Sequence, residues 1–245
     1  MADYNSIRAG AGTRSAEIDQ GLRAHMNKVY GTMSVGLLLT ALVSWAVGSS
    51  PALLSFLYNL ETGSPNILGW IVMFLPLIMV FAFGAAINRL SAAGAQLYFY
   101  IYAAIMGLSL SWIFMAFTGI SIAQTFLVTS ISFAGLSLYG YTTKRDISGW
   151  GAFLIMGLIG LIVASIVNIF LGSPALHFAI SVIGVLIFAG LTAYDTQRLK
   201  NEYIQHAHAM DAEWLAKSAI MGALHLYLDF INLFMFLLQF MGNRE

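Results

Sequence analysis

Two acidic residues border or interrupt long uncharged stretches, and their chemistry is the hardest in the chain to place. Asp229 sits midway along the last apolar segment, residues 218–240. An ionised aspartate at the centre of a membrane helix costs about 2.5–3.5 kcal/mol on insertion scales. Projected at about 100° per residue, Ser218, Gly222, His225, Asp229, Asn232, Phe236 and Gln239 share one face. The opposite face carries Ala223, Leu226, Phe230, Phe234, Leu237 and Leu238. A polar stripe cannot face lipid cheaply, so this helix belongs at the centre of a bundle or beside a pore. Asp195 closes the preceding apolar segment. It either pairs with Arg198 three residues on or is the partner that a deep carboxylate needs. Two carboxylates that approach closely cannot both ionise cheaply, so they share a proton. Their apparent pKa values then belong to the pair. Such a pair, Asp195 with Asp229, senses pH and can ligate a hard cation such as calcium through oxygen.

Three further groups bear on that pair. Arg89 is the only charge between the second and third apolar segments. It is either a positive-inside anchor or a salt-bridge partner for the aspartates. His225 precedes Asp229 by four residues and shares its face, which suits a proton relay or one satisfied hydrogen bond; Asn232 continues the stripe. His206, His208, Asp211 and Glu213 lie in the polar loop before the last segment, where a solvated loop is the simpler reading than a metal site.

The elements that position these residues follow from the charge gaps. Of 245 residues, 59% are hydrophobic and 9% charged, against about 25% charged in soluble domains. Mean hydropathy is +0.81. No Asp, Glu, Lys or Arg occurs in 29–60, 62–88, 90–143 or 147–194. A membrane helix needs about 20 apolar residues, so each of the last two gaps holds a helical hairpin. Spans are expected at 30–48, 67–87, 96–117, 122–141, 152–171, 175–194 and 218–240. All must be helical, because a lone strand leaves its backbone unsatisfied in lipid. Breaks fall at Ser49-Ser50-Pro51, Gly63-Ser64-Pro65, Gly119, Ser148-Gly149 and Gly172-Ser173-Pro174, and Pro76 is expected to kink the second span. Residues 1–28 read as a flexible polar cytoplasmic tail and 29–245 as a seven-helix transmembrane domain. With the N-terminus inside, ten of the eleven basic residues lie on the cytoplasmic side and only Arg244 outside. Thr32, Gly36, Thr40, Ser44 and Gly48 form a seam of small residues for close helix packing. Gly157, Gly160 and the Tyr98, Tyr100 and Tyr102 cluster read as packing too.

Several function classes fall away. A net charge of zero gives no nucleic-acid footprint. The absence of cysteine removes disulfides, thiolate metal sites and cysteine nucleophiles. Residues 226–228 before Asp229 are Leu-Tyr-Leu, not the Gly-x-Gly of presenilin-like proteases, and the last span holds no lysine for retinal. No enzymatic chemistry and no cofactor are expected. The expected partners are the lipid bilayer, calcium or other cations, and other membrane proteins.

Tyr194-Asp195-Thr196-Gln197, preceded by Gly190-Leu191-Thr192-Ala193, resembles the signature of the Bax inhibitor family, which includes bacterial YccA-like proteins. Tyr141-Thr142-Thr143-Lys144-Arg145-Asp146 looks like that family's cytoplasmic turn. Ala223-Leu224-His225-Leu226-Tyr227-Leu228-Asp229-Phe230-Ile231-Asn232-Leu233-Phe234 looks like its last helix. The resemblance covers about residues 20 to 242. It implies an all-α membrane fold of seven helices, the last one central and wrapped by two three-helix layers. It also implies a pH-sensitive calcium leak in the bacterial cytoplasmic membrane. Asp195 and Asp229 would be the sensor and gate, and Arg89 the latch. The alternative it allows is a membrane-embedded regulator of other proteins, in stress responses or membrane proteolysis, contacting partners through its polar tail. One geometric demand follows. Asp195 ends its hydropathic span, whereas Asp229 lies mid-span, so they meet only if span six continues past Asp195 or span seven sits lower than its hydropathy suggests.

Overall fold

Charge-free apolar runs of this length leave the backbone no partner in lipid except itself, and the chain answers with helices throughout. The computed structural model describes residues 2–206, 209 and 211–243, with side chains from residue 18 onward. Nine helices occur among them: α1 (Ala2–Gly48), α2 (Pro51–Leu54), α3 (Ile67–Ala86), α4 (Ala92–Leu110), α5 (Ile113–Ala116), α6 (Gly119–Thr142), α7 (Trp150–Leu171), α8 (Pro174–His206) and α9 (Ala212–Met241). Seven are long and apolar enough to cross a membrane, α5 extending α4. His208 and Arg244 lie outside the described residues.

The boundaries follow local chemistry. Asn66, Ser91, Thr118 and Asp211 cap α3, α4, α6 and α9, each accepting from the backbone N–H three residues on. Gly172 ends α7 in the left-handed region (φ 58°), which a residue without Cβ adopts freely, and Pro174 starts α8 two residues later. Pro76 lies inside α3, which runs unbroken past it.

Helix α9 is the axis. It packs against α1, α4, α6 and α8, while α3 rests on α4 and α7 on α8. The result is α1, α3 and α4 on one side of α9 and α6, α7 and α8 on the other. The apolar window of α9 is 67% buried, against at most 39% for any other span. The outer helices turn their bulk outwards: Phe153, Met156, Ile159, Ile169 and Phe170 of α7 are exposed to the medium that lipid supplies.

Two helices outrun their hydropathy. Helix α1 is not a tail followed by a span at residue 30. It is helical from Ala2, and Leu22, Met26 and Val29 are buried in the main core. The boundary expected at residue 28 therefore falls inside the packed region. Gly21 lies directly against Tyr203, and the His25 ring sits 4.9 Å from that of Tyr203. Helix α8 continues eleven residues past Asp195 to His206, which meets the demand that Asp195 not be a helix end. Both extensions carry charges, so a hydropathy reading stops short of them.

Close approach fixes the crossings. On α1, Gly36 abuts Phe99 and Gly48 abuts Phe114, while Thr32, Thr40 and Ser44 are buried. The seam is therefore the packing face of α1 against α4, α5 and α9. Gly107 returns the contact against the Thr40 carbonyl. Gly157 lies against Ile187, but Gly160 faces open space and is not a packing glycine. Of the tyrosine cluster, Tyr102 is buried and Tyr98 donates to the Met79 carbonyl at 2.9 Å.

A Cβ at Gly140 would collide with the Ala193 carbonyl, at the crossing of α6 and α8. Gly140→Val should destabilise the protein by about 1–3 kcal/mol, the usual cost of overpacking. Gly160→Val, with no neighbour within 4 Å, should change stability by less than about 0.5 kcal/mol. Unfolding midpoints in detergent compare the two; equal losses would contradict the packing at Gly140.

Candidate functional site

The site lies between α8 and α9. Its residues are ordered by the 3.6-residue turn: Ala223, Leu226, Tyr227 and Phe230 bury one side of α9 in the main core, which points Asp229 at α8. Asp229 is 5% exposed, and its Oδ2 is buried with no hydrogen-bond partner. The group it meets is Asp195, whose side chain lies within hydrogen-bonding reach of it. Neither carboxylate oxygen is a donor, so a hydrogen bond between them requires that one carboxyl hold a proton.

Exposure rises outward from the pair. Asp195 has a side chain 15% exposed, and Arg198, whose Nη1 is 3.9 Å from Asp195 Oδ1, is 55% exposed. Asp195 thus has Arg198 and Asp229 as neighbours at once. At 3.9 Å the ion pair is long and half in solvent, so it contributes little. Arg89 lies in the turn after α3, is exposed, and forms no ion pair among the described residues. The arginine at the aspartates in this structure is Arg198.

His225 is half-buried, one turn before Asp229, and makes no hydrogen bond among the described residues. Its charged neighbours are Asp195, Arg198 and Glu202. The single-hydrogen-bond reading of His225 is therefore not what the geometry gives. Asn232 donates to the Leu228 carbonyl at 2.8 Å, within its own helix; it continues the polar stripe without reaching the aspartates. His206 packs against Trp214, Asp211 caps α9, and Glu213 pairs with Lys217 at 3.4 Å.

Among the described residues no three His, Asp or Glu side chains gather as a metal site. Calcium takes six to eight oxygen ligands. Two carboxylates supply four oxygens at most, so the donor set suits a passing ion better than a resident one.

Residues around the pair hold it in place. Tyr30 hydroxyl, Ser137 Oγ and Thr196 Oγ1 form a chain at 2.6 and 3.0 Å, tying α1, α6 and α8 together beside Asp195. Gln197 accepts from Ile147 N at 2.9 Å and donates to the Arg145 carbonyl at 2.8 Å, clamping the α6–α7 turn. Lys200 donates to the Tyr141 carbonyl at 2.7 Å. In that turn, the hydrogen bond from Ser148 N holds the Asp146 carboxyl below its ordinary pKa. On the far side of α9, the buried Tyr227 hydroxyl meets Thr40 Oγ1 at 2.7 Å, and Thr40 also reaches the Ala103 carbonyl at 2.8 Å. Apart from Lys200 and Asp146, none of these supporting side chains carries a charge. Small polar residues at four-residue steps on α6 (Ser121, Thr125, Thr129, and Ser137 two steps on, past Phe133) were the signal that its inner face is polar, and all four are buried.

The three sequence blocks thus converge on one site. Residues 22–245 match the family described as "Inhibitor of apoptosis-promoting Bax1". The inner membrane protein YbhL of Escherichia coli is 50% identical over 225 residues, covering 92% of this chain and 94% of that protein. An uncharacterized protein of Caulobacter vibrioides is 46% identical over 254 aligned positions, and one of Rickettsia prowazekii 44% over 245, each covering 100% of both chains. By this match and these identities, the chain belongs to the Bax inhibitor family of multi-pass membrane proteins.

Proposed function

We propose that this protein is a pH-sensitive cation leak channel, with calcium as the permeant ion and the Asp195–Asp229 pair as its sensor and gate. The observation that carries the reading is the meeting of the two carboxyl groups from α8 and α9, one of them buried at the axis of the bundle. With one shared proton the pair carries a single negative charge and clasps the two helices. Gain or loss of that proton changes the charge held at the helix interface, which biases two packings of the bundle. A bias of about 1.4 kcal/mol changes their ratio tenfold. The basic residues orient the chain with its N-terminus in the cytoplasm. The inner-membrane designation of the E. coli relative supports placement in the bacterial cytoplasmic membrane.

Calcium entry into proteoliposomes, followed across pH, tests this. The wild type should show flux that changes by about tenfold over the range in which the pair titrates. Asp229→Asn should lose that dependence; unchanged flux with an unchanged pH response would remove the reading.

The cation beside the pair is a separate question. Arg198 lies 3.9 Å from Asp195, whereas Arg89 forms no ion pair among the described residues. In the same assay, Arg198→Gln should shift the pH midpoint by more than Arg89→Gln does. The reverse order would restore Arg89 as the latch.

A further inference from the structure

A polar cavity of about 260 Å³ opens between α8, α9 and the turn after α3. Its walls include Asn88, Glu202, Trp214, Lys217 and Ser218, and His225 lines it too. It lies on the side of the membrane that holds the α3–α4, α6–α7 and α8–α9 turns. Arg198 and Glu202 also line a second polar cavity, of about 460 Å³, on the outer side of α8. The two cavities therefore share a charged wall that begins one turn beyond Asp195, at Arg198, and runs a further turn to Glu202.

The order of groups is stepwise. Lys217 and Glu202 stand along the cavity wall, and His225 lies two turns of α9 in from Lys217. His225 and Asp195 interact electrostatically, and Asp195 lies within hydrogen-bonding reach of Asp229. The charged groups acting on His225 are Asp195, Arg198 and Glu202 from α8; Lys217, on its own helix, lines the same cavity, and Asn88, from the α3–α4 turn, is uncharged. His225 has no hydrogen bond among the described residues to fix its tautomer, so either ring nitrogen is available to a proton. Imidazole is the side chain whose unperturbed pKa lies nearest neutrality. Past Asp229 the α8–α9 interface is closed by packing: Leu233 is 1% exposed, and Phe236 stacks on Phe188 and lies against Gly184.

We infer that this cavity is the water entrance to the aspartate pair, with His225 as its proton-exchange residue. The pair then equilibrates with solvent only on the side that bears the basic turns. This inference rests on the channel reading for its consequence but not for its geometry. Protons move between water in the cavity and an imidazole nitrogen, and from that ring to the Asp195 carboxyl. No bond other than N–H and O–H forms or breaks.

The absence of cysteine from the chain makes accessibility measurable without background. Ser218→Cys and His225→Cys, reconstituted in one orientation, should react with a membrane-impermeant methanethiosulfonate ammonium reagent from the basic side and not from the other. Asn232→Cys, about 10 Å further along the helix, should resist it from the basic side. His225→Gln should slow the response of calcium flux to a pH jump on the basic side by about tenfold or more. A pH jump on the opposite side should leave wild-type flux where it was. Labelling at 218 but not at 225, or a His225→Gln response as fast as wild type, would overturn the inference. If wild-type protein carries no flux, the channel reading fails while the labelling still decides whether the entrance exists.

Discussion

A carboxyl group buried at the axis of a membrane bundle is the constraint around which the rest is arranged. Asp229 cannot face lipid, and a lone carboxylate in the interior would be costly. Helix α9 is therefore held at the centre, where the other helices supply a low-dielectric wall on one side and a second acid on the other. The pairing of Asp229 with Asp195 is an attraction only while a proton lies between them. Without it, the same contact sets two like charges against each other. The interface of α8 and α9 is also packed, with Phe236 against Gly184 and Leu199 against Gly222, so on the proposed reading a proton adjusts a contact that packing already holds.

The remaining contacts explain why the residues beside each aspartate have the identities they do. Tyr194 lies against Gly151, Thr196 joins the hydroxyl chain to Ser137 and Tyr30, and Gln197 clamps the α6–α7 turn. Four consecutive side chains of α8 thus address α7, α9, α6 and a loop. Two residues before Asp229, Tyr227 points away from α8 and is tied through Thr40 to α1 and α4, with Phe99 and Tyr102 edge-on to its ring. Each aspartate sits on a helix that is fixed elsewhere. A change in the pair's charge then bears on two anchored layers instead of being absorbed by one loose helix.

Much of this architecture was legible in the sequence because lipid leaves few choices. The charge-free gaps located all seven spans, and α3 and α7 match their expected limits to within two residues. The polar stripe of the last segment placed α9 at the centre. Where the reading fell short, charged residues were the reason. Arg23 and Lys28 on α1, and Arg198 and Lys200 on α8, end a hydropathic run but not a helix: Arg23, Lys28 and Arg198 are exposed and Lys200 binds the Tyr141 carbonyl, while the backbone continues. The polar tail therefore gave way to a packed helix from residue 18 onward, and the depth mismatch between Asp195 and Asp229 disappeared once α8 ran on to His206. Gly160 shows the opposite error: a small residue invites close packing but does not compel it. Arg198 and Arg89 were both plausible cations at the pair, and only three-dimensional placement separates a residue one turn from Asp195 from one on a neighbouring turn. The inner face of α6 went unread because single hydroxyls spaced along an apolar helix carry little hydropathic signal.

Infrared difference spectroscopy of the reconstituted protein, with pH as the variable, addresses the shared proton directly. A shared proton gives a protonated-carboxyl C=O band that belongs to both residues, so that Asp195→Asn and Asp229→Asn each shift the titration of the carboxyl left behind. Two bands that titrate independently, each variant erasing its own and leaving the other unmoved, would contradict it.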